Sequence, residues 1–398
     1  MDKKGKILFV RTPVADLNPQ TYNNQQIGMG KAFCRLGYDF DFITFKKRDQ
    51  KEWIFFEYNG CKARWIEKPR TRIFRWGVNL SIVDKNFLSK YTMVISQEYY
   101  QIMTFFLSKE SDNVVMYSGP YTNLFYTSFV SKIYDALFTK IINRNVKHIF
   151  TKSVLAQRFL EKKGYSNITS IGVGLDFERF ENECKIEDET KPIVEYMKNN
   201  KCILYVGSLW AVKNYPFLLE VFQKVREIDP EIKLVTIGKS LASVKAKLLG
   251  KTNESYAREI EAKFPLDIMN NIYHVDKISN PQLKYIYPLA KAFLLPSHFE
   301  IFGMVLMEAM YFGAPVITRL NGGASSMIEG RNSGLIVNEY DSDLWAKAVF
   351  KYINDPRFTM QVSENAKRIV REEFTWNVVV KKMLKEFDKD RLNINKTK

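Results

Sequence analysis

The chain has few cysteines and no arrangement of them that would hold a metal. Its 398 residues contain four, Cys34, Cys61, Cys184 and Cys202. They lie far apart and form no C-x-x-C, which excludes a zinc site of that kind and suits a reducing cytosol. Long apolar runs are absent too: none reaches the ~20 residues that a membrane span needs. The N-terminus, Met1-Asp2-Lys3-Lys4-Gly5-Lys6, is followed by four apolar residues, Ile7 to Val10. That is strand length, too short for the core of a signal peptide. No internal repeat or low-complexity segment stands out. Acidic residues fall short of basic ones, 44 Asp+Glu against 60 Lys+Arg, for a net charge of +16.

What is present supports two folded domains. Hydrophobic content is 46% and aromatic content 14%, enough for sizeable cores at this length. The basic excess is uneven, +11 over residues 1–185 and +5 over 186–398. This favours an anionic partner on the first half: a membrane surface, nucleic acid or a lipid-linked phosphate. The stretch 61–80 interleaves Lys62, Arg64, Lys68, Arg70, Arg72 and Arg75 with Trp65, Ile66, Ile73, Phe74 and Trp76. Such a mixture over residues 62–76 suits an anionic membrane surface. A solvated hairpin is the alternative. Nucleic acid is not an expected partner, because no RNA or DNA motif accompanies the patch.

Periodicity gives the order of elements. Lys6–Val10 reads as a buried parallel strand, followed by a polar loop, a helix ending near Leu36-Gly37 and a second strand, Tyr38–Phe45. Gly28 and Gly30 fall inside the helix, where close packing explains them. Thr92–Ser96, Val114–Tyr117 and Val146–Phe150 read as further strands, with His148 packed rather than catalytic. Asp39-x-Asp41 resembles a metal-binding pair, but it lies at a strand's N-terminal end. Open α/β sheets bind ligands at the carboxyl ends of their strands. Apolar periodicity lapses near 182–200, which divides the chain into 1–185 and 186–377. The second part opens with the strand Cys202–Val206 and the turn Gly207-Ser208.

The most informative stretch runs from Leu294 to Val316. An apolar strand, Ala292–Leu295, is stopped by Pro296, which has no N–H for a ladder. A polar elbow follows, Ser297-His298-Phe299-Glu300, then a helix-like run from Gly303 to Phe312, then a strand from Pro315. Gly303 lets the backbone approach a ligand. The first amides of the helix lack internal partners and carry the positive end of its dipole, which makes a phosphate site. Glu300 and Glu308 flank it. Carboxylates there would repel a phosphate unless they bind something else, and vicinal sugar hydroxyls suit them. Glu308 lies ~7–8 Å along the helix at ~1.5 Å per residue. The layout suggests a nucleotide sugar, although local physics alone also allows a solvated surface.

Glu300-x7-Glu308, with Phe302-Gly303 between and Glu308-Ala309-Met310 at the end, resembles the signature of retaining glycosyltransferase family 4, the "group 1" transferases. Gly313-x-Pro315-Val316-Ile317, Asn321-Gly322-Gly323 and Gly334-Leu335-Ile336-Val337 follow in similar order and spacing. The resemblance implies an α/β protein of GT-B fold, two doubly wound Rossmann-like domains facing across a cleft. The first domain would serve the acceptor, and a helix over about 378–398 would pack back on it. The second would bind the donor.

The resemblance further implies Glu300 and Lys213 as catalytic residues. Phe302, Gly303, Met304, Val305, Glu308, Gly207, Ser208 and His298 would contact the donor. The sequence departs from the family pattern in three places. Gln20–Asn24 stands where a Gly-Gly pair is usual, Ser118-Gly119 where a histidine is frequent, and Ser208 where an arginine is expected. Lys239 is a candidate for the missing charge.

The expected activity is retaining hexosyl transfer from a nucleoside-diphosphate sugar such as a UDP-sugar. The acceptor would be a glycan or a lipid-linked molecule, in surface polysaccharide or glycoconjugate synthesis. No cofactor and no metal are expected; the nucleotide sugar is a co-substrate. The expected place is the cytoplasm, including the inner face of the plasma membrane. The alternatives are a catalytically inactive GT-B-fold protein that binds membrane or nucleic acid, and an epimerase of nucleotide sugars.

Overall fold

Runs of four or five apolar residues, too short for helices and bounded by turn residues, become strands buried on both faces. Ile7–Val10 in the first strand and Cys202–Leu204 in the first strand of the second half are wholly buried. The computed structural model describes residues 3–12, 24–46, 51–73, 76–123, 128–181, 185–240 and 256–396. Two compact units result. Unit 1 comprises Met1–Asp176 and Glu373–Lys398; unit 2 comprises Phe177–Glu372.

The strands of unit 1 are β1 (Gly5–Arg11), β2 (Tyr38–Lys46), β3 (Lys51–Tyr58), β4 (Cys61–Pro69), β5 (Thr71–Ile73), β6 (Trp76–Val78), β7 (Met93–Gln97), β8 (Val114–Ser118), β9 (His148–Thr151) and β10 (Ile168–Ser170). Eight of them form one sheet, ordered β10-β9-β8-β7-β1-β2-β4-β3, while β5 and β6 pair separately. All neighbours in the large sheet are parallel except the edge hairpin β3–β4. That hairpin turns on Asn59-Gly60, with φ of 46° and 81°, the positive pair that a two-residue turn between twisted strands requires.

Unit 2 carries β11 (Cys202–Val206), β12 (Lys233–Ile237), β13 (Ile272–Val275), β14 (Ala292–Leu295), β15 (Val316–Thr318) and β16 (Leu335–Ile336). They form a parallel sheet in the order β13-β12-β11-β14-β15-β16. In both sheets the order reverses about the first strand, β1 or β11. Open α/β sheets place ligands at such switch points, beyond the carboxyl ends of the strands.

The chain leaves unit 1 earlier than residue 185. Phe180 packs on Phe312, with ring centroids 5.0 Å apart, and its carbonyl accepts from Lys284 at 3.0 Å, so it belongs to unit 2. The return comes at Glu373 rather than 378. Leu175 N donates to Phe374 O at 2.7 Å, and the helix Trp376–Lys396 follows. His148 is buried, bonded to Asp390 at 2.7 Å and Thr169 at 2.9 Å. Asp39 is held by Lys3 at 2.9 Å. Asp41 is buried and meets Arg64, Lys6 and Tyr91.

The fold gives several charges of the basic stretch 62–76 partners within the unit. Strand alternation on β4 buries Ala63, Trp65 and Glu67. Trp65 stacks on Trp53 at 5.1 Å and donates to Thr44 at 2.9 Å. Arg64 pairs with Asp41 and Glu52, and Lys62 lies 3.6 Å from Glu57. The Trp76 indole donates to Tyr100 O at 2.7 Å. Among the described residues of this stretch only Thr71–Ile73 forms a fully exposed run. Phe74 and Arg75 lie outside the described residues, as do Gln20 to Asn23 and Cys184.

Gly28 has the packing role read for it. A Cβ there would sit 2.2 Å from Trp376 Cδ1, closer than any real contact. Gly28→Val should therefore destabilise unit 1 by about 1–3 kcal/mol. A urea melt with an unchanged midpoint would show that the helix docks elsewhere.

Candidate functional site

The site of unit 2 forms where β11 and β14 end. After β11, Gly207 N bonds Ile237 O at 2.9 Å and Leu209 N bonds Lys239 O at 3.0 Å. The chain then folds into the tight turn Ala211–Lys213. After β14, Pro296 frees the backbone, and His298 N donates to Val212 O at 2.9 Å. This bond ties the two loops together. It places Lys213 Nζ 2.6 Å from Glu300 Oε1, which also accepts from Ser297 Oγ at 2.8 Å. Glu300 is 9% exposed, so the carboxylate is buried, paired and hydrogen-bonded, as burial of a charge demands.

Gly303 caps the helix Met304–Tyr311 in the left-handed region, with φ 78° and ψ 73°. An L side chain would be strained there. The Leu306 and Met307 amides both reach Gly303 O, at 3.0 and 3.2 Å. Among the described residues the Val305 amide meets no acceptor, and it lies in the first turn, where the dipole favours an anion. The Gly322-Gly323 pair is packed under the elbow. Gly322 N donates to Glu300 O at 3.3 Å, and a Cβ on Gly323 would lie 2.0 Å from Phe302 O. Asn321 Oδ1 caps Ala324 N at 3.0 Å and fixes the turn.

Glu308 lies within the helix and is 1% exposed. Its Oε2 accepts from Asn280 at 3.3 Å and from the Tyr287 hydroxyl at 3.1 Å. No donor meets Oε1 among the described residues. Burial pushes the carboxyl up to about 7 from an ordinary 4.5, against the two hydrogen bonds, which lower it.

Glu300, Lys213, the Phe302–Val305 backbone and Glu308 thus share one loop-and-helix unit. Gly207 and Ser208 stand at the adjoining strand end, and Ser208 O accepts from Tyr205 at 3.0 Å. The His298 imidazole is exposed and bonds the Tyr340 hydroxyl, not Glu300 or Lys213. Arg319 stacks over Tyr340 at 4.0 Å. Lys239 is exposed and joins the site through its backbone. Sequence reasoning missed Ser297, Asn280 and Tyr287. Ser297 was within reach, three residues before Glu300. Asn280 and Tyr287 come from short 3-10 turns, which carry no periodic signal.

In unit 1, Ser118 and Gly119 serve Glu98: Ser118 Oγ donates to Oε2 at 3.2 Å and Gly119 N at 2.8 Å. Among the described residues no group of three or more His, Cys, Asp or Glu is arranged to hold a metal ion.

Known proteins place this geometry in a class. Residues 187–369 match the family described as glycosyl transferases group 1. An uncharacterized glycosyltransferase of Methanocaldococcus jannaschii, MJ1607, is 27% identical over 183 residues, 46% of this chain and 43% of that protein. Sucrose synthase 1 of Hordeum vulgare is 25% identical over 218 residues, 52% of this chain and 26% of that protein. The matches span less than half the length of these relatives. Among solved structures, Anabaena Alr3699/HepE in complex with UDP and glucose has a TM-score of 0.66 at 15% identity, covering 96% of this chain and 99% of that one. The trehalose-6-phosphate synthase OtsA has a TM-score of 0.70 at 13% identity, again covering 96% and 99%. The fold is GT-B.

The raised Glu308 pKa has a definite sign. Ionisation costs the folded state more than the unfolded one. The stability this group contributes is complete below about 4.5 and is lost as pH rises through about 7. Relative to Glu308→Gln, the wild type should lose roughly 2–3 kcal/mol between pH 4.5 and pH 8. Parallel stability curves for the two proteins in urea would mean that the carboxyl titrates normally.

Proposed function

We propose that this chain is a glycosyltransferase. It takes a sugar from a nucleoside-diphosphate sugar and passes it to a glycan or lipid-linked acceptor with retention at the anomeric carbon. The work fits surface polysaccharide or glycoconjugate synthesis. The observation that carries the reading is the asymmetric pair of buried carboxylates beside one helix start. Glu300 is held by a lysine, and Glu308 keeps one oxygen free. UDP and UDP-glucose in structures of the similar Alr3699/HepE support a UDP-sugar as donor.

In this reading the diphosphate lies at the Val305 amide and draws Lys213 toward it. Charge that develops on the leaving group meets a preorganised ammonium and a helix start. Glu300, released from Lys213, accepts from the sugar hydroxyls and orients the ring. Glu308 Oε1 accepts from the ribose diol, with Asn280 and Tyr287 holding the other oxygen. No metal or cofactor enters the scheme, because Lys213 and the amides supply the positive groups. No protein nucleophile is assigned, since retention on this fold is read as front-face reaction.

The place of action is read from unit 1. The helical run from Ser128 to Asn145 exposes Phe129, Ile133 and Leu137 at four-residue spacing, with Lys132 and Lys140 exposed beside them. Apolar side chains flanked by lysines suit an anionic membrane surface from the cytoplasmic side. No helix among the described residues is long and apolar enough to cross a membrane.

Two experiments test these readings. With a UDP-sugar, Glu300→Ala should abolish transfer, Lys213→Ala should lower kcat by about 10²–10³-fold, and Glu308→Ala should mainly raise the KM for donor. Near-normal turnover by Glu300→Ala would sink the site. Sedimentation with vesicles containing phosphatidylglycerol should fall with salt and with the triple change of Phe129, Ile133 and Leu137 to Ser; equal binding by that variant would remove the membrane role.

A further inference from the structure

A second cluster of charge lies in unit 1, at its own switch point. Four adjacent parallel strands, β9, β8, β7 and β1, end in a row of polar groups: Lys152, Ser118 with Gly119, Gln97 with Glu98, and Arg11. Lys152, Gln97 and Glu98 are 5%, 5% and 3% exposed. Glu98 adopts φ 66°, a left-handed conformation costing of order 1–3 kcal/mol for a residue with a Cβ. That strain aims its carboxylate along the strand ends. Four donors saturate it. Lys152 Nζ at 3.1 Å and Gln97 Nε2 at 3.2 Å reach Oε1; Gly119 N at 2.8 Å and Ser118 Oγ at 3.2 Å reach Oε2.

Arg11 is left over. It follows Val10, which pairs with Ser96, so Arg11 stands opposite Gln97. Its Nε is sealed from solvent and meets no acceptor among the described residues; neither does the buried Gln97 Oε1. The Gln97 amide cannot be turned round to mend this, because its oxygen would then face the Glu98 carboxylate. Burial pushes the Arg11 guanidinium below its ordinary value, and the nearby Glu98 only partly opposes this. The cluster therefore holds two cations, Arg11 and Lys152, against one carboxylate that is already spent. A guanidinium nitrogen sealed from water without an acceptor is costly, and a buried acceptor without a donor adds a further penalty. Both defects lie at the sheet end where a ligand would enter.

We propose that Arg11 and Gln97 form the anion subsite of the acceptor. Arg11 pairs with a phosphate or carboxylate carried by an acceptor sugar, and Gln97 Oε1 accepts from a hydroxyl beside that group. A guanidinium binds such anions through two parallel N–H bonds, which a lysine cannot reproduce. The buried Lys152–Glu98 pair is the rigid floor that holds Gln97 in place. The acceptor role rests on the glycosyl-transfer reading; the anion site itself does not.

Thermal melts of the full chain test this, with glucose 6-phosphate, glucuronate, neutral glucose and UDP as separate probes. Glucose 6-phosphate or glucuronate should raise the wild-type Tm in proportion to the logarithm of its concentration, and glucose should not. Which of the two acts identifies the anion. Arg11→Met should melt above the wild type without ligand, since the sealed, unpaired Nε is gone, and should lose the anion response. Arg11→Lys should keep it with at least tenfold weaker affinity. UDP should shift wild type and Arg11→Met alike. An anion shift that survives in Arg11→Met, or wild type unmoved by either anion, overturns the proposal. Loss of the UDP shift alone would overturn the donor reading and leave the anion site standing.

Discussion

A parallel sheet covered on both faces can offer chemistry only at its ends. Along the middles of β1 and β11 the side chains are packed among other apolar groups, and strands pair with them on both sides. Polar groups can converge only where strands stop, and most readily where the strand order reverses and the flanking connections diverge. Both units obey this constraint. In unit 2 the reversal at β11 brings the Lys213 turn against the Glu300 elbow. In unit 1 the reversal at β1 brings Arg11 beside Gln97 and Glu98. The same geometric rule, applied twice, accounts for where the residues at the strand ends stand.

The two glutamates of unit 2 show how environment separates like groups. Glu300 has a cation at 2.6 Å and a hydroxyl at 2.8 Å. Glu308 has two neutral donors on one oxygen and no cation in hydrogen-bonding contact. Burial without such a partner raises its carboxyl, so the pair divides into a fixed anion and a group that can take up a proton near neutrality. A ligand that brings its own donors to Glu308 Oε1 would favour the ionised form and remove part of that burial cost.

Half of the strands were read from the chain, because their signal is local. Short apolar runs bounded by Gly, Pro or Asn place β14 at its observed limits and the others that were read within one or two residues. The elbow from Ser297 to Gly313 was legible for the same reason: a stop, a cap and a helix follow in immediate succession. Contacts that depend on distant strands were not legible. The basic stretch on β4 resembled a surface because its charges are visible in sequence, while their partners, Asp41 on β2 and Glu52 on β3, are paired only by the fold. Asn280 and Tyr287 reach Glu308 from irregular turns. Arg11 drew no notice as one arginine at the end of a strand. Its meaning lies in what the neighbouring strands withhold from it.

The passage of the chain between its two units carries a consequence for topology. It goes out after Asp176 and comes back at Glu373, and the two crossing segments are joined by the bond from Leu175 N to Phe374 O. Unit 2 is thus a single uninterrupted insert in unit 1, with entry and exit side by side at the host. A few residues of linker joining 176 to 373 would leave unit 1 as a continuous chain, and 177–372 is already one segment. Only the guest is one continuous segment; the host is closed from two, so a linker that joins them is what its separate expression requires.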